Sequence, residues 1–396
     1  MIVKDEEKTL FNCLESIAPW VDEIIIIDTG SKDGTKRIAE KFTRNVLDFL
    51  WIDDFSAARN ESIRHATGEW IFWLDADDTV PAETGSSLRT LAAGAGNNTG
   101  GYSLKIHLPS VPGEIGIRHV SHVKLFKNLP EYRFTGRIHE QIANQIIASK
   151  KIILETDLVI NHSGHDFTPE GQRIKREREA RILEQEIKDS PNYAFNWFNL
   201  AMAQFQLLNY QATIESFRKF FTLLPNATSS VDHQAYYYLS IAYEKSGDLL
   251  SAQQTAKDGL ERCHNDPGLQ FQYGDICLKL EEYQEAENHF RRALAPRNVY
   301  PDGFEMKIID LLIPFDMGVL KRKTGLFSEA ARYFETLLSL YPAWIPALCE
   351  ACELAAIEGN ESRLTTHFES LRQVSPIDAE TVRQTIAKYV DLPFPA

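Results

Sequence analysis

The stretch Trp70-Ile71-Phe72-Trp73-Leu74-Asp75-Ala76-Asp77-Asp78 joins an apolar run with the pattern of a buried strand to three acidic residues in four positions. In open α/β sheets, ligands bind beyond the carboxyl ends of the strands. Clustered carboxylates at such an edge suit a hard divalent cation, and a cation held there can in turn hold a diphosphate. An Asp-x-Asp pair alone is common in solvated loops, so the surroundings decide its meaning.

Upstream, Lys8 to Pro19 has helical spacing, with Leu10, Leu14 and Ile17 on one face. Val21 to Ile27 is a nearly continuous apolar, β-branched run, as expected of a strand buried on both faces. It runs into Asp28-Thr29-Gly30-Ser31-Lys32-Asp33-Gly34-Thr35, which is dense in turn formers and helix caps. Thr35 to Phe42 reads as a helix, Val46 to Trp51 as a short strand, and Asp54 to Ala66 as a helix opening near Ser56. The alternation predicts an α/β domain with a doubly wound, mostly parallel sheet. Two successive strands then end in acidic loops, at Asp28 and at Asp75, on one edge of that sheet.

These blocks, in this order, resemble the inverting family-2 glycosyltransferases with the GT-A fold. The matching pieces are Met1-Ile2-Val3-Lys4-Asp5-Glu6-Glu7, Ile27 to Thr35, Asp54-Phe55-Ser56-Ala57-Ala58-Arg59-Asn60, Thr67-Gly68-Glu69-Trp70-Ile71 and Leu74 to Asp78. Phe134-Thr135-Gly136-Arg137-Ile138-His139-Glu140 and Ile160-Asn161-His162-Ser163-Gly164-His165 are similar to a bacterial branch that joins this domain to a helical-repeat tail. That branch includes a bacteriocin peptide S-glycosyltransferase. Family members carry several apolar residues before the first block, so the chain is expected to begin inside its first strand. Asp5 stands where the family usually has Asn.

The resemblance implies roles. Asp28 would lie at the base or ribose of the nucleotide and Asp75 near the ribose, and Asp77 would be the main metal ligand, with Asp78 helping indirectly. His162 closes the apolar segment Leu158-Val159-Ile160 and is the candidate for completing the metal shell; an imidazole suits manganese better than magnesium. The alternative for His162 is a capping or core histidine at a domain junction. Glu140 is the candidate general base, His139 its runner-up, and a structural Glu–Arg ion pair the competing role. Arg59 and Asn60 open a helix expected to pass beneath the nucleotide, where Arg59 pairs with Asp28, Asp75 or a phosphate. The mixed-sign run Arg173 to Arg181 reads mainly as a solvated helix face; the alternative is that one arginine reaches the diphosphate.

Beyond Pro191 the pattern becomes wholly helical. Trp197, Leu200, Ala201, Tyr210, Phe217 and Pro225 recur in kind as Leu239, Tyr243, Gly247, Ala252 and Ala256. They recur again as Tyr273, Gly274, Tyr283, Ala286, Phe290 and Ala293, then as Met317, Gly318, Gly325, Phe327, Ala330, Phe334 and Pro342. Ala252 to Ala286 spans the tetratricopeptide period of about 34 residues; longer intervals imply insertions near Thr228 and around Asn298 to Asp310. Small residues at the Gly and Ala positions let paired helices approach, and the units stack into an all-α solenoid. The expected organisation is a GT-A domain at 1–168, a linker helix at 169–191, tetratricopeptide-like repeats at 192–376 and a helix with a tail at 377–396.

Composition bounds the partners. A net charge of −14 over 396 residues argues against nucleic acid and anionic lipid. No apolar stretch reaches the length of a membrane span, and the amino terminus lacks a signal peptide. The scattered cysteines Cys13, Cys263, Cys277, Cys349 and Cys352 suit a reducing cytoplasm. Cys349 and Cys352 form a lone Cys-x-x-Cys that is better explained by packing than by zinc.

The expectation is therefore a cytoplasmic, inverting glycosyltransferase. It would use Mn2+ or Mg2+ and a nucleotide-sugar donor, a UDP-sugar in particular, and act on a peptide or protein acceptor. Alternatives are transfer to surface polysaccharide or lipid-linked saccharide, and a non-catalytic scaffold with a relic front domain. The repeat tail would hold the acceptor or mediate self-association as a homodimer.

Overall fold

The structure, a computed structural model, describes residues 1–108, 119–164, 168–224, 231–295 and 306–386. His165, Pro225, the insertion near Thr228, most of that around Asn298 to Asp310 and the end of the expected tail lie outside these residues. The chain divides into two compact units, Met1–Leu207 and Leu208–Ala396.

The first unit runs β1 (Ile2–Val3), α1 (Leu10–Ile17), β2 (Ile26–Asp28), α2 (Thr35–Ala39), β3 (Val46–Asp48), α3 (Phe55–His65), β4 (Trp70–Phe72) and β5 (Asp78–Thr79). It continues through α4 (Ala82–Ala93), β6 (Thr99–His107), β7 (His119–Lys127), α5 (Ala143–Ala148), β8 (Ile152–His162), α6 (Pro169–Asp189) and α7 (Ala194–Gln206). β1, β2 and β3 pair in parallel, with Val3 opposite Asp28 and Asp28 opposite Asp48. A second, five-stranded sheet has the order β4-β7-β6-β8-β5 and is antiparallel except where β6 lies beside β8.

The first strands are shorter than their apolar runs. Val21 to Ile25 stay outside β2 because β1 and β3 offer only two and three residues to pair with. Met1, Ile25, Trp70, Phe72 and Leu125 are among the residues that line a cavity of about 480 Å³. The α1 face forms as its spacing demands, with Leu10, Cys13, Leu14 and Ile17 buried. Leu10 and Leu14 share a cluster with Val3, Ile26 and Ala76. That packing brings the Asp75 to Asp78 segment beside the end of β1, and so beside Asp28.

The second unit comprises α8 (Tyr210–Leu223), α9 (Asp232–Lys245), α10 (Leu249–Arg262), α11 (Pro267–Lys279) and α12 (Tyr283–Ala293). It goes on with α13 (Met306–Lys323), α14 (Phe327–Leu340), α15 (Ile345–Ile357), α16 (Glu361–Val374) and α17 (Pro376–Ile386). Leu249 to Tyr283 and Phe327 to Glu361 each advance by about 34 residues, the tetratricopeptide period. The turns repeat as well: Gly247, Glu281, Gly325 and Gly359 all take positive φ between paired helices. Small residues do what their positions imply. A Cβ on Gly274 would lie 2.8 Å from the Phe290 ring, and one on Gly318 would lie 2.6 Å from Phe334. The phenylalanines therefore fill space within a unit as well as between units. Cys352 is buried and packs with Leu348, Leu364 and Phe368, and Cys349 lies against the same cluster. Among the described residues, no helix is long and apolar enough to cross a membrane.

Candidate active site

Sheet pairing assembles the acidic site. β5 pairs with β8 so that Asp78 lies opposite His162, which brings together residues far apart in sequence. His162 Nδ1 is 2.9 Å from Asp78 Oδ1 and 3.4 Å from Asp77 Oδ1. One ligand atom from each of Asp77, Asp78 and His162 can be chosen so that all lie within 4.8 Å of one another. Two carboxylates and an imidazole at this spacing fit a divalent transition ion. Asp77 is well placed for the role: burial, opposed by His162 and reinforced by the charge of Asp75, pushes its pKa up to about 6. The hydrogen bond to Asp78 raises the pKa of His162. Gly164 closes one side of Asp77, since a Cβ there would lie 1.5 Å from Asp77 Oδ2.

Asp78 is the most enclosed of the three. Its Oδ2 accepts hydrogen bonds from Lys124 Nζ at 3.0 Å and from the Asp75 backbone N–H at 3.0 Å. Lys124 has a fully buried side chain, lies 3.6 Å from Asp75 Oδ2 and rests 3.7 Å from the centre of the Trp73 ring. It was not among the sequence candidates. A lysine in Val123-Lys124-Leu125-Phe126 reads locally as a solvent-facing strand position.

Arg59 links the site to its far wall. Its Nη2 donates to Asp75 Oδ1 at 2.8 Å and its Nε to Glu140 Oε1 at 2.5 Å, while the guanidinium stacks 4.2 Å from the Trp73 ring. Burial alone would raise the pKa of Asp75, but the charges of Arg59 and Lys124 outweigh it and hold the carboxyl below the usual range. Of the partners expected for Arg59, Asp75 is the one found, with Glu140 added. Arg59 Nη1 is buried without a hydrogen-bond partner.

The remaining candidates divide. Asp28 is fully buried; its Oδ1 caps Gly30 and Ser31 N–H at 2.9 Å, and its Oδ2 is buried without a partner. A neighbouring loop braces this turn: Lys32 N–H donates to Asp5 Oδ1, and Asp5 N–H to Ser31 Oγ. Asp5 sits at φ 55, a left-handed conformation that Asp tolerates as Asn does, which explains why Asp can stand there. Asn60 is occupied by the backbone of Phe134, accepting from its N–H at 2.8 Å and donating to its C=O at 2.9 Å. It holds the loop that carries Glu140. His139 turns away from Glu140 to α6, where its Nε2 is 2.9 Å from Glu179 Oε1.

Comparison with known proteins places these features. Residues 1–96 match Glycosyl transferase family 2, and residues 267–295 match the Tetratricopeptide repeat. A TPR repeat-containing protein of Synechococcus elongatus is 31% identical over 259 residues, or 64% of this chain and 62% of that protein. The SPbeta prophage-derived glycosyltransferase SunS of Bacillus subtilis is 23% identical over 337 residues, 77% of each chain. Among solved structures, YrrB, a TPR protein with an unusual peptide-binding site, is 18% identical with a TM-score of 0.40, over 52% of this chain and 99% of its own. The amino-terminal region is thus a family 2 glycosyltransferase domain with an α/β fold, and the carboxyl-terminal region is helical and carries a tetratricopeptide repeat.

Proposed function

We propose that this chain is a metal-dependent, inverting glycosyltransferase that moves a sugar from a nucleotide diphosphate sugar, UDP-linked, to a peptide or protein acceptor in the cytoplasm. The observation that carries this reading is the convergence of Asp77, Asp78 and His162 at the strand end of a family 2 glycosyltransferase domain. Asp77 and His162 would hold Mn2+ or Mg2+. Such an ion supplies Lewis-acid neutralisation of the diphosphate leaving group. Asp75 is kept ionised by Arg59 and Lys124 and serves as a fixed hydrogen-bond acceptor for the ribose. Asp28, whose Oδ2 has no partner, accepts from the base.

Glu140 takes the acceptor's proton. Arg59 holds one of its oxygens, and the other is assigned to the acceptor. Inversion requires attack in line with the departing diphosphate, so the base must stand on the far side of the sugar. The repeat array is the part of the chain suited to holding an extended peptide, or to a homodimer contact. This assignment keeps Lys124 and Asn60 as positioning residues that touch neither donor nor acceptor.

Calorimetric titration with nucleotide sugars, with and without manganese, tests the reading. Manganese-dependent binding of one donor, lost in Asp77→Ala, supports it and names the sugar. Folded wild-type protein that binds no donor and no nucleoside diphosphate under any metal condition overturns it. Glu140→Gln separates the base from the donor site: donor affinity should persist while transfer to acceptor falls by about 10²-fold or more.

A further inference from the structure

The turns of the second unit fix a common register. Gly247, Glu281, Gly325 and Gly359 take positive φ just after α9, α11, α13 and α15. Three residues before these turns stand Glu244, Leu278, Arg322 and Ala356, and nine residues before them stand Tyr238, Gln272, Asp316 and Glu350. The four helices lie side by side, α11 against α9 and α13, and α13 against α15. At the outer two junctions the ninth residue before one turn bonds the third residue before the preceding turn. Gln272 Nε2 donates to Glu244 Oε2 at 2.8 Å, and Arg322 Nε donates to Glu350 Oε2 at 2.7 Å.

The junction between α11 and α13 is different. In this register Asp316 belongs beside Leu278, and Leu278 packs in one cluster with Ile313 and Met317, which flank Asp316 in the chain. A leucine offers a carboxylate no partner. Asp316 has neither a hydrogen bond nor an ion pair among the described residues, and its side chain is not sealed from solvent. The cations nearby are engaged: Lys245 with Glu244, Lys279 with Glu244 and Asp275, and Arg322 with Glu350 and Glu353. Burial first, then the charge of Asp275, raises the Asp316 pKa well above the ordinary carboxylate value. A cation brought from outside counters both causes, because it supplies the missing donor and offsets the repulsion.

The strip is acidic as well as incomplete, since Glu244, Asp275, Asp316, Glu350 and Glu353 outnumber Lys245, Lys279 and Arg322. It crosses four packed helices about 8–10 Å apart, the reach of about seven to nine extended residues. That length suits a polypeptide better than a single amine. We propose that this strip binds an extended, cationic polypeptide segment, with a lysine or arginine of the segment paired to Asp316 at the α11–α13 junction. Naming that segment as the acceptor rests on the glycosyltransferase reading above, and it assigns the acceptor a basic character.

The test uses the full chain and a randomised nonapeptide library, with spermidine as a small-cation probe. Peptides retained by the wild type should be enriched several-fold in lysine and arginine over the input. Asp316→Asn should remove most of that enrichment and weaken a selected peptide about tenfold, the loss of one charge-assisted contact. Asp316→Glu should restore much of the affinity. Leu278→Gln, which installs the kind of amide partner that Glu244 has in Gln272, should also lower the enrichment. Glu369→Gln, on α16 and outside the strip, should change nothing. Retained peptides with no excess of basic residues, or an excess that persists in Asp316→Asn and Leu278→Gln, overturn the proposal. Spermidine binding that depends on Asp316, with no peptide selected, overturns the polypeptide assignment. Titration of the same protein with nucleotide sugars and manganese separates the two readings. Peptide selection without donor binding supports the strip and overturns its acceptor role, whereas donor binding without peptide selection overturns the strip alone.

Discussion

Two acidic regions of this protein use the same side chains under different rules. In the first unit, Asp75, Asp77 and Asp78 are neighbours in sequence, and their cations come from far away: Arg59 from α3, Lys124 from β7 and His162 from β8. In the second unit, Glu244, Asp275, Asp316 and Glu350 come from α9, α11, α13 and α15. Lys279 joins Glu244 and Asp275, and Arg322 joins Glu350 and Glu353. In the first arrangement the cations are enclosed, with Arg59 and Lys124 9% and 0% exposed. In the second they reach across alternate helices, and Lys279 is 41% exposed. A lost charge should therefore be costly in the first and mild in the second.

The largest expected effect is on Lys124. Removing Lys124 leaves the buried Asp78 carboxylate with only His162 to offset it, so Lys124→Met should cost about 3–5 kcal/mol in urea unfolding. Lys279→Met, whose side chain is 41% exposed, should cost under about 1 kcal/mol. Equal costs would erase the contrast.

Next comes Asp77→Ala, which should weaken manganese binding by at least about 100-fold in calorimetry. Asp316→Ala should leave that affinity unchanged, because its carboxylate belongs to the solenoid. Gly164→Ala is a subtler probe. The added methyl must displace the Asp77 carboxylate, so manganese affinity should fall about tenfold while the unfolding midpoint barely moves. Retained affinity would mean the loop shifts freely and that Gly164 does not position the ligand.

The smallest effect concerns Asp316. Burial first, then repulsion from Asp275, raises its pKa well above the ordinary carboxylate value. A raised carboxyl pKa means that the folded state holds the proton more tightly than the unfolded state. Its contribution is fully present below the unfolded pKa and is lost as pH rises through the folded one. Asp316→Asn removes that loss, so at neutral pH it should raise the melting temperature by about 2 °C and flatten its fall with rising pH. A lower melting temperature would show that the ionised carboxylate is stabilising.

Legibility followed the range of the interactions. The α1 face of Leu10, Leu14 and Ile17 needed only helical spacing. The repeat period was visible because each unit solves the same packing problem, with a small residue facing an aromatic ring. Lys124 was hidden because its burial depends on Trp73 and Asp78, about fifty residues earlier. Glu140 was visible as a candidate, but its pairing with Arg59 was not, since a short motif holds no information about a side chain 81 positions away. Asn60 looked like a ligand contact because its neighbours do; the structure spends its amide on a loop. Val21 to Ile25 looked like part of a strand because Val21, Ile24 and Ile25 are β-branched, a local property, whereas a strand also needs a partner.

The sequence by itself determined the order of elements, the acidic strand end, the helical repeats and the residues capable of holding a metal. Periodicity, caps and turn chemistry act over a few residues and are written in the chain. Tertiary structure alone decided which cation meets which carboxylate and which oxygen is left without a partner. Those outcomes depend on strand pairing and burial across long separations, where desolvation makes each unpaired charge costly enough to select one arrangement.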